Sequence, residues 1–221
     1  MSAIQNSIDL IHKDVRKAAV GVGRSADDVC IVAVTKKQPD ARIEEALDCG
    51  LRVFGENRVQ EAKERWEGRK SDHPDIRLHL IGPLQTNKVK DAVALFDVIE
   101  TVDRPKLVHA LAQEMKKQGR DIPCLIQVNT GQEEQKAGVH PDELDDLITL
   151  CVEEGLHVDG LMCIPPADDP AGLHFAFLKH LADQYNLKTL SMGMSGDYKI
   201  AIEAGATHIR IGTLLLGNRQ Y

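Results

Sequence analysis

The sequence predicts an α/β protein, a single (β/α)8 TIM barrel with an extra N-terminal helix, occupying residues 1–221 as one domain. Three observations lead there. Short β-branched runs alternate with amphipathic helical segments from residue 31 onward, and that alternation implies a parallel sheet. There are eight such runs, the number that closes a barrel. No shift in composition and no low-complexity linker divides the 221 residues, a length ordinary for one barrel. An open doubly wound sheet fits the same alternation, and the pattern alone leaves it open.

Taken in order, residues 2–20 read as a helix, because Ile4, Ile8, Ile11, Val15 and Ala18 recur at spacings of three and four. Gly21 and Gly23 end it. The run Ile31-Val32-Ala33-Val34-Thr35-Lys36 is the first strand, stopped before Pro39, which has no N–H for a ladder. Residues 40–48 are helical, with Ile43, Ala46 and Leu47 on one face and Gly50 as the stop. Residues 51–54 form the second strand, and a charged helix follows through Trp66. The third strand is 76–81, closed by Gly82-Pro83, then a short helix 87–95 and a fourth strand 98–102. A helix over 104–118 stops at Gly119 and leads to the fifth strand, 124–128. His140-Pro141-Asp142-Glu143 opens the next helix, which runs to Glu154, its acidic residues suited to the positive end. The sixth strand, 158–164, is stopped by Pro165-Pro166, and a helix over 171–185 follows. The seventh strand is 189–192, then a short helix 197–204 and the eighth strand 208–211, before Gly212-Thr213 and an apolar tail.

Composition narrows the function. A net charge of −7 speaks against nucleic acid, although Lys88, Lys90 and neighbouring bases are the place to look for it. No apolar run approaches the roughly 20 residues that span a bilayer, and the first residues carry no signal pattern, so a cytoplasmic protein with no membrane partner is expected. Five cysteines without a C-x-x-C pair read as reduced, mostly buried thiols. Nine scattered histidines show no zinc spacing, and no metal is expected.

The chemistry centres on Lys36. Burying an ammonium is unfavourable without a partner, and a desolvated amine shifts toward the neutral form that condenses with an aldehyde. Strand alternation separates Lys36 from Lys37 but does not say which face is inside. A lysine at a strand end that reaches out to solvent is the commoner case. In such barrels active sites sit at the C-terminal strand ends, with phosphate held by the loops after strands seven and eight. Those loops are Gly193-Met194-Ser195-Gly196 and Gly212-Thr213, whose small residues admit a phosphate and whose Ser195 and Thr213 hydroxyls can donate to it. Lysine and loops together suit a phosphorylated aldehyde, and pyridoxal 5′-phosphate fits. Arg210, at the end of strand eight, either donates to the pyridine nitrogen or pairs with a carboxylate such as Glu56. Asn57 either binds the ring hydroxyl or caps the next helix. His79 reads as a satisfied core histidine.

Six segments in order also carry a resemblance: Ala33-Val-Thr-Lys36, Phe54-Gly-Glu-Asn57 with Gln60-Glu61, His79-Leu-Ile-Gly-Pro-Leu-Gln85 with Asn87-Lys88, Gly160-Leu-Met-Cys-Ile-Pro165, Leu190-Ser-Met-Gly-Met-Ser195 with Asp197, and Arg210-Ile-Gly-Thr213. Over almost its whole length the chain resembles the YggS/PROSC-type pyridoxal phosphate homeostasis proteins, which look like the barrel domain of alanine racemase without its second domain. Thr35, Leu78, Leu80 and Cys163 depart from the residues usual there. The resemblance implies pyridoxal 5′-phosphate on Lys36 as a Schiff base, Arg210 at the pyridine nitrogen, Ser195, Gly212 and Thr213 at the phosphate, and Asn57 near the ring. It implies intracellular cofactor homeostasis: a monomer that buffers the cofactor and passes it to apo pyridoxal-phosphate enzymes, without strong catalysis and without catalytic residues of its own. The rival readings are an amino-acid racemase and a lyase or aldolase that forms its Schiff base with a sugar phosphate.

Overall fold

A computed structural model describes residues 2–218. Eight parallel strands close on themselves in chain order. They are β1 (Cys30–Val34), β2 (Val53–Glu56), β3 (Arg77–Leu80), β4 (Val98–Val102), β5 (Cys124–Gln127), β6 (Val158–Met162), β7 (Thr189–Met194) and β8 (His208–Ile211). The helices are α1 (Ala3–Gly21), α2 (Asp40–Asp48), α3 (Val59–Asp72), α4 (Val89–Leu95), α5 (Pro105–Gln118), α6 (Leu144–Glu153), α7 (Ala171–Gln184), α8 (Tyr198–Glu203) and α9 (Thr213–Leu216). Closure comes from β1 against β8, where Cys30 to Ala33 pair with His208 to Ile211. The open doubly wound sheet is thereby ruled out.

Strand alternation divides the buried residues into two layers. Phe54, Leu78, Leu80, Ile99, Ile126, Leu161, Leu190 and Ile209 face outward and form one cluster with the apolar stripes of the helices. Val32, Ile81, Leu125 and Met162 are buried outside that cluster, inside the barrel. Polar residues share the interior, among them His79, Glu100, Ser191 and Arg210, each 4% exposed or less. Helix α1 lays the predicted stripe of Ile4, Ile8, Ile11, Val15 and Ala18 against the barrel's outer layer. Its start is capped by the Ser2 hydroxyl, which accepts from the Gln5 N–H at 3.1 Å. No helix among the described residues is long and apolar enough to cross a membrane.

Several boundaries differ from the sequence reading, each for a local reason. The strand predicted over 31–36 ends at Val34. Beyond it the Gln38 N–H bonds the Thr35 carbonyl at 3.0 Å and Lys37 turns to φ 57°, so the chain leaves the sheet at Lys36. Strand β2 lies two residues later than predicted and takes Gly55 and Glu56 into the ladder. Helix α3 continues past Trp66, because Arg69 and Lys70 in its last turn reach Glu44 and Asp97 at 2.7 Å. Part of the apolar tail is helix α9; residues 219–221 of that tail lie outside the described residues.

Candidate functional site

The six residues picked from the sequence line one cavity. Lys36, Asn57, Ser195, Arg210, Gly212 and Thr213 surround about 310 Å³ at the C-terminal strand ends, with Val34, Ile81, Ile164, Met194 and Gly196. A second cavity of about 520 Å³ adjoins it and shares Lys36 and Asn57; Arg58, Gln60, Gln85 and Lys88 supply its polar edge.

Lys36 is half-buried, in a turn two residues beyond β1. Its position is set by its neighbours. The buried Thr35 hydroxyl donates to Glu56 Oε1 at 2.6 Å. The same oxygen accepts from Arg65 at 2.7 Å and from the Trp66 indole N–H at 3.0 Å. Arg65 also donates to the Thr35 carbonyl at 3.1 Å. On the far side of Lys36, the Gln38 amide donates to the Gly217 carbonyl at 3.0 Å. The turn is therefore tied to β2 and α3 on one side and to the segment after α9 on the other, while the Lys36 ammonium itself has no hydrogen-bond or ion-pair partner among the described residues. The Asn57, Ser195 and Thr213 side chains are equally unengaged among those residues. Asn57 does not cap α3, whose N-cap is Arg58 with no side-chain hydrogen bond. It is held instead by packing: a Cβ on Gly82 would stand 2.2 Å from the Asn57 carbonyl oxygen, so only glycine lets the β3 loop pass beneath it.

The end of β7, which runs two residues beyond the predicted 189–192, and the loop after it are equally constrained. Gly193 has φ +91°, and a Cβ there would meet the Ala201 Cβ at 2.5 Å. Asp197 accepts from the Met194 N–H at 2.6 Å, and the next residue, Tyr198, donates to Asp14 of α1 at 2.7 Å. These contacts present Ser195 and Gly196 to the cavity.

Arg210 does not pair with Glu56. One guanidinium nitrogen donates to Ser191 Oγ at 2.7 Å and the other to the Cys163 carbonyl at 2.8 Å. The Ser191 hydroxyl donates to Glu100 Oε2 at 2.6 Å, and Glu100 Oε1 lies 2.6 Å from His79 Nδ1. Burial pushes the Glu100 carboxyl up, but the His79 hydrogen bond and charge, the Arg210 charge and the Ser191 hydroxyl outweigh it and hold it at about 2, against 4.5 ordinarily. His79 is thus an interior histidine whose Nδ1 is engaged by Glu100. Burial pushes the Cys163 thiol up to about 12 and that of Cys151 up to about 11, so neither is a ready nucleophile. All five cysteines are free thiols, three of them buried. Among the described residues no three ligating side chains cluster around a metal position.

Two functional groupings were missed in the sequence: the Glu56 hub that holds the Lys36 turn, and the Glu100–Ser191 link behind Arg210. A glutamate inside the apolar run Val98-Ile-Glu-Thr-Val102 was the available signal for the second.

Comparison with known proteins bears on this cavity. The alanine racemase N-terminal domain family matches residues 16–220. A pyridoxal phosphate homeostasis protein of Vibrio cholerae is 40% identical over 100% of this chain and 98% of its own length. One from Aquifex aeolicus is 41% identical over 94% of each. The chain belongs to the pyridoxal phosphate homeostasis protein family. A solved structure of similar shape is that of PipY of Synechococcus elongatus with PLP bound, 37% identical, with a TM-score of 0.76 over 92% of this chain and 99% of that one. Family membership accounts for the fold throughout, since the matches run the length of the barrel.

Proposed function

We propose that this chain binds pyridoxal 5′-phosphate in the smaller cavity, holds it covalently on Lys36, and buffers and delivers it. The observation that carries the reading is the convergence on one cavity of two small-residue loops, a buried arginine and the Lys36, Asn57, Ser195 and Thr213 side chains, which have no partner among the described residues. Its size suits a small cofactor. The PLP-bound relative supports the same ligand.

When bound, the cofactor supplies an aldehyde that the Lys36 amine condenses with to a Schiff base, releasing water. The chain's own groups then divide the work. Ser195 and Thr213 donate hydroxyls to the phosphate, beside the uncrowded backbone at Gly196 and Gly212. Arg210 directs a hydrogen bond at the pyridine nitrogen and, being unable to release its proton, leaves that ring neutral. Asn57 lies at the junction of the two cavities and orients the ring hydroxyl.

Lys36 and Arg210 are the ionisable side chains among the described residues lining this cavity. Racemization needs a proton acceptor on each face of the bound substrate, and the lining offers no second base. That favours a carrier over a racemase. We further take the carrier to be a cytoplasmic monomer, folded as a single domain over residues 1–221, whose recipients are apo pyridoxal-phosphate enzymes and not nucleic acid.

The test is an absorption spectrum of the purified protein before and after borohydride, beside Lys36→Ala. A yellow protein whose reduced adduct maps to Lys36, absent from the variant, is the expected result. A protein that takes up no added pyridoxal phosphate overturns the reading.

A further inference from the structure

We propose that Ser191, Glu100 and His79 are positioning residues that hold the Arg210 guanidinium, itself a donor only, at its place on the cavity wall. They thereby make the cavity selective for a ligand with a lone pair, not a hydrogen, at the atom Arg210 faces. The inference rests on pyridoxal phosphate being the ligand and adds what determines its recognition.

The direction of every proton in this chain is fixed by chemistry. A guanidinium only donates, so the 2.7 Å contact makes Ser191 Oγ an acceptor. The Ser191 proton then points at Glu100 Oε2, 2.6 Å away. The Glu100 carboxylate only accepts, so at 2.6 Å it is His79 Nδ1 that carries the proton. Donation runs from Arg210 through Ser191 to Glu100, and from His79 to Glu100 on the other side. All four residues are 4% exposed or less, and reversing any one link leaves a buried group unsatisfied.

The interposed hydroxyl matters as much as the charge. A direct arginine–carboxylate fork would take two parallel N–H groups and turn the guanidinium away from the cavity. With Ser191 between them, Glu100 compensates the buried charge from one residue further away. Ser191 and the Cys163 carbonyl each receive one N–H, and Arg210 still lines the cavity with donors to present. A cavity wall that can only donate rejects a ligand that brings a C–H or N–H to the same place.

The experiment compares pyridoxal phosphate with its 1-deaza analogue, in which a C–H replaces the ring nitrogen while aldehyde and phosphate are unchanged. Affinities are measured by absorbance titration for wild type, Ser191→Ala, Glu100→Gln and Ser191→Thr, each checked for folding by thermal melting. Differences in aldehyde reactivity cancel when the ratio of affinities is compared between variants. Wild type is expected to prefer the natural cofactor by roughly ten- to a hundredfold, the range for leaving one buried donor unpaired. Ser191→Ala and Glu100→Gln should each lose at least about fivefold of that preference while still capturing both ligands on Lys36. Ser191→Thr, which keeps the hydroxyl, should retain it. An undiminished preference in whichever of the two disruptive variants folds overturns the proposal and leaves the ligand assignment standing. Binding of neither ligand by wild type overturns the assignment itself.

Discussion

Glu56 shows how much one buried carboxylate can organise. It is fully buried, and its Oε1 gathers the Thr35 hydroxyl, the Arg65 guanidinium and the Trp66 indole. Removing it in Glu56→Ala strands Arg65 and frees Thr35; breaking such a buried pair destabilises by about 3–5 kcal/mol. Urea unfolding should register that loss, and the variant that remains folded should label more slowly at Lys36 with pyridoxal phosphate. Glu100 makes a different prediction, one of pH. Its folded value of about 2 lies below the ordinary 4.5, so its contribution to stability is complete above that ordinary value and disappears as pH falls toward 2. The stability gap between wild type and Glu100→Gln should therefore narrow between about pH 5 and pH 2.5 in urea titrations. A gap independent of pH would contradict the charge assigned to Glu100.

At the scale of elements, the end of β7 with its connection to α8 is tightly specified. Gly193→Ala combines a positive φ with a 2.5 Å collision against Ala201. It should destabilise the fold by more than about 1 kcal/mol and weaken cofactor binding, because Ser195 moves with the loop. Calorimetry and a cofactor titration would check the two effects separately. Elements were also where the sequence was most and least legible. The stripe in α1 and the order of strands could be read because periodicity is local. The two-residue slip of β2 could not, because Gly55-Glu56 looks like a turn until Arg65 and Trp66, nine and ten residues later, come back to bury the carboxylate. The end of β1 was misread for a related reason: β-branched Thr35 extends the apparent strand, while its hydroxyl is committed to Glu56.

Across the whole molecule, the cavity was legible because a barrel brings strand ends together whatever their separation in sequence. What stands behind it was not, since Ser191 and Glu100 are 91 positions apart and no spacing links them. Outside the barrel, α1 serves as a brace: Ile11 is fully buried, and Asp14 receives the Tyr198 hydroxyl at the foot of the β7 loop. Ile11→Ala should lower stability by about 2–5 kcal/mol, as truncation of a buried isoleucine does, and chemical denaturation would measure it.

Closure of β1 onto β8 has a consequence for biosynthesis. One wall of the cavity, Val34 and Lys36, comes from the first strand and the turn after it; the opposite wall, from Met194 to Thr213, comes from the last two strands of the barrel and the loops after them. A nascent polypeptide still lacking β8 has the lysine but neither Arg210 nor the Gly212-Thr213 loop, so the cavity proposed for the ligand is incomplete. On the proposed reading, capture therefore awaits synthesis of β8 and the loop after it, and bound cofactor, by mass action, favours closed barrels over partly assembled ones.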